Sequence, residues 1–139
     1  MEASLEEIET FLSKPKTLVI VGASTIVSKA GNYVPEFLKN RGFKIIPVNP
    51  FAESILGINT LKDLSELKES VDGIIIYRRP ELVDEVITNA VDMKIPWIWL
   101  PTGVTSPNGP KIAKDLMYVE NRCPLALIKS WINQGKWTN

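Results

Sequence analysis

The stretch that decides the fold is TLVIVGASTIVSK, residues 17–29. Its first part, residues 18–21, is an uninterrupted apolar run, which is typical of a strand buried on both faces of a parallel sheet. Gly22 ends the run, small and hydroxyl-bearing residues follow it, and a segment with helical spacing starts after Gly31. A strand, a small-residue loop and a helix start are the usual frame for an anion, because N–H groups at a helix N-terminus point at the ligand.

The loop departs from the glycine fingerprint of dinucleotide sites. That fingerprint is G-x-G-x-x-G, and Ser24 and Val27 stand at its second and third glycine positions. The pattern therefore fits a nucleotide-type site and a tight structural turn equally well.

The rest of the chain alternates between apolar runs and segments with helical spacing. Further strands are predicted at residues 43–48, 71–77, 95–100 and 116–120. Helices are predicted at residues 4–14, 32–40, 60–68, 80–93, 111–115 and 125–133. Such alternation predicts an α/β fold: a doubly wound, Rossmann-like five-stranded parallel sheet with helices on both faces. We expect residues 1–139 to form one domain, with residues 1–14 as an N-terminal helix and residues 125–139 as a C-terminal helix and tail.

Composition narrows the classes of partner. Apolar residues make up 45% of the 139 residues, which predicts a folded core. Lys and Arg together number 16, as do Asp and Glu, so global charge does not favour nucleic acid as a partner. No apolar run approaches the roughly 18 residues of a membrane span. The acidic start, MEASLEEIE, lacks the plan of a signal peptide. We expect a cytoplasmic protein that binds neither nucleic acid nor membrane.

The sequence contains no histidine and a single cysteine, Cys123. The absence of histidine excludes histidine acid–base catalysis, Ser-His and Cys-His pairs and imidazole metal sites. A single cysteine excludes an internal disulfide and multi-cysteine metal sites. We therefore predict no catalytic residue and no metal ligand.

Ligands of open parallel sheets bind outside the carboxyl ends of the strands, at the point where strand order reverses. By that rule, one edge of the predicted sheet should contain residues 22–29, 49–52, 77–80, 101–103 and 121–124. This edge carries three cations, Lys29, Arg78 and Arg79, and few carboxylates, which suits a phosphorylated ligand. Asn49 stands where an NAD site usually has a carboxylate for the ribose. The pattern thus favours a nucleotide phosphorylated on its ribose over NAD.

Several short motifs occur in a suggestive order. They are VGAS at 21–24, SK at 28–29, PVNP at 47–50 with Gly57 after it, YRRPE at 77–81, WL followed by Gly103, and RC at 122–123. In this order and spacing the chain resembles the CoA-binding family. Its members are small single-domain proteins whose fold is also similar to the CoA-binding domain of the succinyl-CoA synthetase alpha subunit.

The resemblance implies that coenzyme A or an acyl-CoA lies along the strand ends. It implies pyrophosphate contacts from Gly22, Ala23 and Ser24, with Ser28 and Lys29 beside them. It implies that the adenosine is bordered by Val48, Asn49 and Pro50. It implies that Tyr77, Arg78 and Arg79 flank the ligand. It implies that the pantetheine path is lined by Pro101, Thr102 and Gly103.

The chain also departs from the family pattern. Phe51 replaces a common basic residue, so one phosphate contact is lost or Phe51 stacks on the base. Pro101 and Thr102 stand where a Gln is common before the glycine. The segment before Cys123 is a few residues short.

Structural alternatives stay open for these residues. Ser24 and Ser28 are also suited to cap a helix, and Asn49 to hold a turn. One of Arg78 and Arg79 is expected to face the site and the other to be structural. Cys123 fits a small buried apolar group, or a thiol that forms a mixed disulfide with the ligand under oxidation.

Three functions are compatible with these observations. The first is coenzyme A or acyl-CoA binding without catalysis, as carrier, store or sensor. The second is an NAD(P)-binding enzyme, or the nucleotide-binding subunit of an acyl-CoA enzyme. The third is an interaction module regulated by the ligand. Whether the chain forms a homodimer or binds another protein is left open.

Overall fold

The structure is a computed structural model that describes residues 2–138; Met1 and Asn139, the ends of the predicted domain, lie outside the described residues. Five α-helices span α1 Leu5–Leu12, α2 Ala30–Asn40, α3 Pro80–Asp92, α4 Gly109–Ala113 and α5 Pro124–Asn133. Seven strands span β1 Thr17–Val21, β2 Lys44–Val48, β3 Ser54–Ile55, β4 Ile58–Asn59, β5 Gly73–Ile76, β6 Trp97–Trp99 and β7 Met117–Val119.

Five of the strands form one parallel sheet in the order β2-β1-β5-β6-β7. Val21 pairs with Val48 on one side and with Ile76 on the other, so three strands end level with one another. The chain moves outward from β1 to β2, then returns to build β5, β6 and β7 on the other side of β1. Strand order therefore reverses between β1 and β5, and this point is the expected ligand position in such sheets.

Helices cover both faces of the sheet, as predicted. Alternate residues of each strand enter two separate cores, because successive side chains of a strand point to opposite faces. One core joins Leu18 and Ile20 to α1, α2 and α5, and the other joins Val19 and Val21 to α3 and α4. The fold class is confirmed: a five-stranded, doubly wound α/β sheet.

The first helix begins at a capping box. The Ser4 hydroxyl accepts a hydrogen bond from the backbone of Glu7, whose carboxylate accepts one from the Ser4 backbone. On its inner face, Phe11 stacks on Trp97 with ring centroids 4.1 Å apart. Trp99 belongs to this core and the partly buried Trp97 packs against it.

The prediction of a helix over residues 60–68 is wrong. Only a 3-10 turn, Leu64–Glu66, forms there, and a short antiparallel hairpin of β3 and β4 precedes it. Leu61 instead pairs with Val48 and extends the open edge of the sheet. Helix α4 begins and ends two residues earlier than predicted, and α2 begins at Ala30 instead of Asn32.

Across the described residues, no helix combines the length and hydropathy needed to cross a membrane.

Candidate functional site

A cavity of about 580 Å³ lies at the point where strand order reverses. The loops after β1, β2 and β5 and the start of α2 form its walls. Its lining residues are Gly22, Ala23, Ser24, Thr25, Ile26, Lys29, Ala30, Gly31, Asn49, Pro50, Phe51, Tyr77 and Arg78. We call it the main cavity. Eight of the fourteen predicted site residues line it: Gly22, Ala23, Ser24, Lys29, Asn49, Pro50, Tyr77 and Arg78.

The other six predicted residues do not line the main cavity. Ser28 is exposed on the loop before α2, and Val48 is buried in the sheet. Arg79 lines a neighbouring cavity. In the loop after β6, which contains Pro101, Thr102 and Gly103, the residue that faces that neighbouring cavity is Val104.

Gly22 allows the loop after β1 to lie against the end of β5. Its φ is +83°, and a Cβ at this position would lie 1.9 Å from the carbonyl oxygen of Tyr77. Its N–H donates to the carbonyl of Val48 at 3.2 Å, and the N–H of Ser24 donates to the carbonyl of Gly31 at 3.1 Å. These two N–H groups therefore hold the loop together and are already engaged without a ligand.

Helix α2 supplies the free donors instead. No side chain within residues 2–138 caps its N-terminus. Ser24 does not act as the cap, because its hydroxyl accepts from the N–H of Ile26 at 3.0 Å within the loop. The first two residues of the helix, Ala30 and Gly31, line the main cavity. The positive end of the helix dipole thus opens into the cavity, which suits an anion.

Gly31 was not predicted as a site residue. A Cβ on Gly31 would lie 3.0 Å from the carbonyl oxygen of Gly22, so glycine lets the helix approach the loop more closely than a larger residue would. This close approach is the packing role that the third glycine has in dinucleotide folds. The signal in the sequence was a glycine four residues beyond the fingerprint position, at the start of the amphipathic segment.

Two asparagines fix the loops around the cavity. The amide of Asn32 donates to the carbonyl of Ser24 at 2.8 Å. The amide of Asn49 donates to the carbonyl of Ala23 at 2.9 Å, and its oxygen accepts from the N–H of Phe51 at 2.7 Å. Asn49 therefore holds a turn and lines the main cavity at the same time.

The charge in the main cavity is positive. Lys29 and Arg78 line it. Neither takes part in the ion pairs found within residues 2–138, although the pKa of Asp63 is lowered by hydrogen bonds from Ser65 and, to a smaller extent, by the positive charge of Arg78. No carboxylate of the described chain is among its lining residues. Arg79, in contrast, pairs with Glu81 of α3 at 3.3 Å. Arg78 thus lines the main cavity unpaired, whereas Arg79 is paired and lines only the neighbouring cavity.

A second cavity of about 540 Å³ continues from the first, and Tyr77 and Arg78 line both. Arg79, Leu82 and Val104 complete its lining. The Tyr77 hydroxyl is buried and has no hydrogen-bond partner in the described part of the chain. Burial, together with nearby Cys123 and Tyr33, raises the pKa of Tyr77 above its ordinary value. Because Tyr77 and Arg78 line both, the two cavities adjoin one another along the strand ends.

The order of the strands and the helices on both faces define the chain as a Rossmann-like α/β domain. A profile of the CoA binding domain family matches residues 16–129, and the chain belongs to that family.

Several known proteins are similar to most of this chain. The chain is 26% identical over 112 residues to the uncharacterized protein YneT of Bacillus subtilis, covering 81% of this chain and 83% of YneT. It is 32% identical over 102 residues to an ADP-forming acetate–CoA ligase of Archaeoglobus fulgidus, covering 72% of this chain but only 15% of the ligase. A solved structure from Thermus thermophilus, cell-free ID.343, has a TM-score of 0.84 at 28% identity over 92% of this chain and 98% of that one.

Proposed function

We propose that this protein binds coenzyme A or an acyl-CoA at the carboxyl edge of its sheet. One observation carries the proposal: the uncapped N-terminus of α2 and the unpaired cations Lys29 and Arg78 face the same cavity. Backbone donors and two cations around one space fit a diphosphate. Membership of the CoA binding domain family supports coenzyme A as the bearer of that diphosphate.

The charge and polarity of the two cavities favour one orientation of the ligand. Its diphosphate would lie at Ala30 and Gly31, where the helix dipole and Lys29 favour negative charge. The adenosine would extend past the end of β2, towards Asn49. The pantetheine arm would run the other way, past Tyr77 into the second cavity. Leu82 and Val104 give that cavity apolar walls suited to such an arm.

We propose binding without catalysis, in the role of carrier, store or sensor. The chain has no histidine, and no carboxylate of residues 2–138 lines the main cavity, so neither a histidine nor a carboxylate base lies against the expected ligand. Asn49 lies at the end of β2, where NAD sites use a carboxylate. Coenzyme A, which carries a ribose phosphate, is therefore favoured over NAD.

Isothermal titration with coenzyme A, dephospho-CoA, NAD and NADP tests the proposal. We expect coenzyme A to bind tightest, dephospho-CoA more weakly because it lacks the ribose phosphate, and both dinucleotides weakest. Tighter binding of NAD or NADP would favour a dinucleotide enzyme instead. Equal binding of coenzyme A and dephospho-CoA would remove ribose-phosphate recognition from the proposal. Absence of coenzyme A binding would overturn it.

A second candidate is the nucleotide-binding subunit of an acyl-CoA enzyme. The observation in its favour is that this chain matches 15% of the length of an ADP-forming acetate–CoA ligase. In that case another chain would supply the catalytic residues. Affinity purification of the protein from its own host, with and without coenzyme A, separates the candidates. Recovery of a stoichiometric partner with ligase activity would favour the subunit.

A further inference from the structure

The main cavity has a polar floor and an apolar rim. Phe51 is 92% exposed, more than any other large apolar side chain of the described residues. Ile26 is 49% exposed. Both line the main cavity, Phe51 from the loop after β2 and Ile26 from the loop after β1. Two exposed apolar side chains on different loops thus border one opening.

The backbone holds Phe51 in this position. The Asn49 side-chain oxygen accepts from the N–H groups of Phe51 and Ala52 at 2.7 and 3.0 Å. The carbonyl of Ala52 in turn accepts from the Thr60 hydroxyl and from the Lys62 ammonium. The backbone is thus held while the ring stays in water, and contact of the ring with a bound ligand would gain the free energy of burial.

We infer that Phe51 is the stacking platform for the adenine ring of the bound nucleotide, with Ile26 on the opposite side of the opening. The inference rests on the proposed function. In doubly wound folds the nucleoside lies beyond the end of the second strand, and Phe51 stands there. Every purine has a flat π face that stacks on an aromatic side chain. No carboxylate of residues 2–138 lines the main cavity to hold the ribose, so the base contact sets the orientation of the adenosine.

Proton NMR and calorimetry with coenzyme A test the inference together. Ring currents of Phe51 should shift the adenine H2 and H8 signals upfield in the complex. Phe51→Leu keeps an apolar side chain but removes the ring, so the shift should disappear. Phe51→Ala should weaken coenzyme A binding roughly tenfold, the usual scale for one stacked base. Leu5→Ala, at a 52% exposed apolar residue on α1, is the matched control and should change neither measurement.

The outcomes separate the inference from the proposed function. If the unchanged protein does not bind coenzyme A, the proposed function fails and the inference fails with it. If it binds, and both Phe51 variants keep the affinity and the shifts, only the inference is wrong. A Phe51 variant that binds the ligand normally but has a different molecular mass in sedimentation would show that Phe51 contacts another protein chain. That result would also overturn the inference. Phe51 is exposed, so urea unfolding should show unchanged stability; if Phe51→Ala were unstable, Phe51→Leu alone decides.

Discussion

The side-chain amide of Asn49 donates a 2.9 Å hydrogen bond to the carbonyl oxygen of Ala23, and this bond ties the loop after β2 to the loop after β1. The two loops form facing walls of the main cavity. Because the Asn49 oxygen also accepts from Phe51 and Ala52, one side chain sets the width of the opening and the shape of its rim.

Asn49→Ala should reduce both stability and ligand binding. It removes three hydrogen bonds and leaves partly buried backbone groups unpaired, so we expect about 1–3 kcal/mol of destabilisation. Coenzyme A affinity should fall as well, because the loops are no longer held at a fixed distance. Urea unfolding and calorimetric titration measure the two effects.

Asn49→Asp is the control for this prediction. Aspartate keeps an acceptor for Phe51 and Ala52 but puts a carboxylate oxygen against the carbonyl of Ala23, and it adds negative charge to the cavity. It should bind coenzyme A even less well than Asn49→Ala. If Asn49→Asp bound the ligand as the unchanged protein does, the cavity would not be a phosphate site.

Arg78→Ala should weaken coenzyme A binding roughly tenfold to a hundredfold. The guanidinium of Arg78 lines both cavities and takes part in none of the ion pairs found within residues 2–138, so a phosphate is free to engage it. A hydrogen bond to a charged group contributes about 1.5–3 kcal/mol, which corresponds to this range. Titrations at two salt concentrations should also show a smaller salt dependence for the variant.

Lys44→Ala serves as the matched charge control, and Arg79→Ala as the comparison at a paired arginine beside the second cavity. Arg79 is paired with Glu81, and Lys44 is paired with Glu69 at the opposite edge of the sheet. Each should change coenzyme A affinity much less than Arg78→Ala. If Arg79→Ala lost more coenzyme A affinity than Arg78→Ala, then Arg79 and not Arg78 would be the arginine that binds the ligand.

Gly22→Ala should be far more damaging than the same change at Gly57. Both glycines have positive φ, +83° and +74°, and both would pay the cost of a left-handed backbone, about 1–2 kcal/mol. At Gly57 a Cβ meets nothing within 4 Å, whereas at Gly22 it meets the Tyr77 carbonyl. We expect about 1 kcal/mol of destabilisation for Gly57→Ala, and more than about 3 kcal/mol, or failure to fold, for Gly22→Ala. Similar unfolding midpoints would contradict the close contact.

The parallel sheet could be predicted because its strands are apolar along their whole length. Ile74, Ile75 and Ile76 are all at most 2% exposed, as expected for a central strand covered on both faces. The strand ends then bring loop residues together whatever the conformation of each loop. Gly22, Asn49 and Arg78 could therefore be assigned to one site from topology alone.

The predictions from sequence fail where hydrogen bonds to residues far along the chain determine the local structure. Leu61, Leu64 and Leu67 have helical spacing, yet Leu61 bonds to Pro47 and Asn49 because the edge of β2 needs a partner. The hairpin before it turns through Leu56 at φ +56° and Gly57 at φ +74°, and of the two only Gly57 is a residue type that indicates a turn. In the loop after β6, topology alone does not decide which of several successive residues faces the cavity.

Cys123 should form a mixed disulfide with coenzyme A when the protein is treated with diamide and the ligand. Cys123 is half-buried and lies near Tyr77, which lines both cavities. Diamide accepts two electrons and two protons as the two thiols join, so the adduct has the mass of protein plus coenzyme A less two hydrogens. Mass spectrometry should find it on Cys123, and Cys123→Ser should abolish it. Unmodified protein at saturating ligand would refute the prediction.

Tyr77→Phe and Tyr118→Phe should have opposite effects on stability near neutral pH. The Tyr77 hydroxyl is buried without a partner in residues 2–138, so its removal should stabilise the protein by about 1 kcal/mol. The Tyr118 hydroxyl donates to the Glu120 carboxylate at 2.7 Å, so its removal should cost about 1.5–3 kcal/mol. Urea unfolding of the two variants measures both changes, and destabilisation of equal size would contradict the unpaired state of Tyr77.

The dependence of the free energy of unfolding on alkaline pH tests Tyr77 and Tyr118 independently. Burial raises the pKa of both Tyr77 and Tyr118, and for Tyr118 the hydrogen bond to Glu120 raises it further. Above about pH 10 the unfolded chain loses these protons while the folded chain keeps them. The free energy of unfolding should therefore fall as pH rises, by up to about 1.36 kcal/mol per pH unit for each tyrosine. The double Phe variant should show a shallower slope than the unchanged protein, and equal slopes would mean that these tyrosines ionise in the folded state.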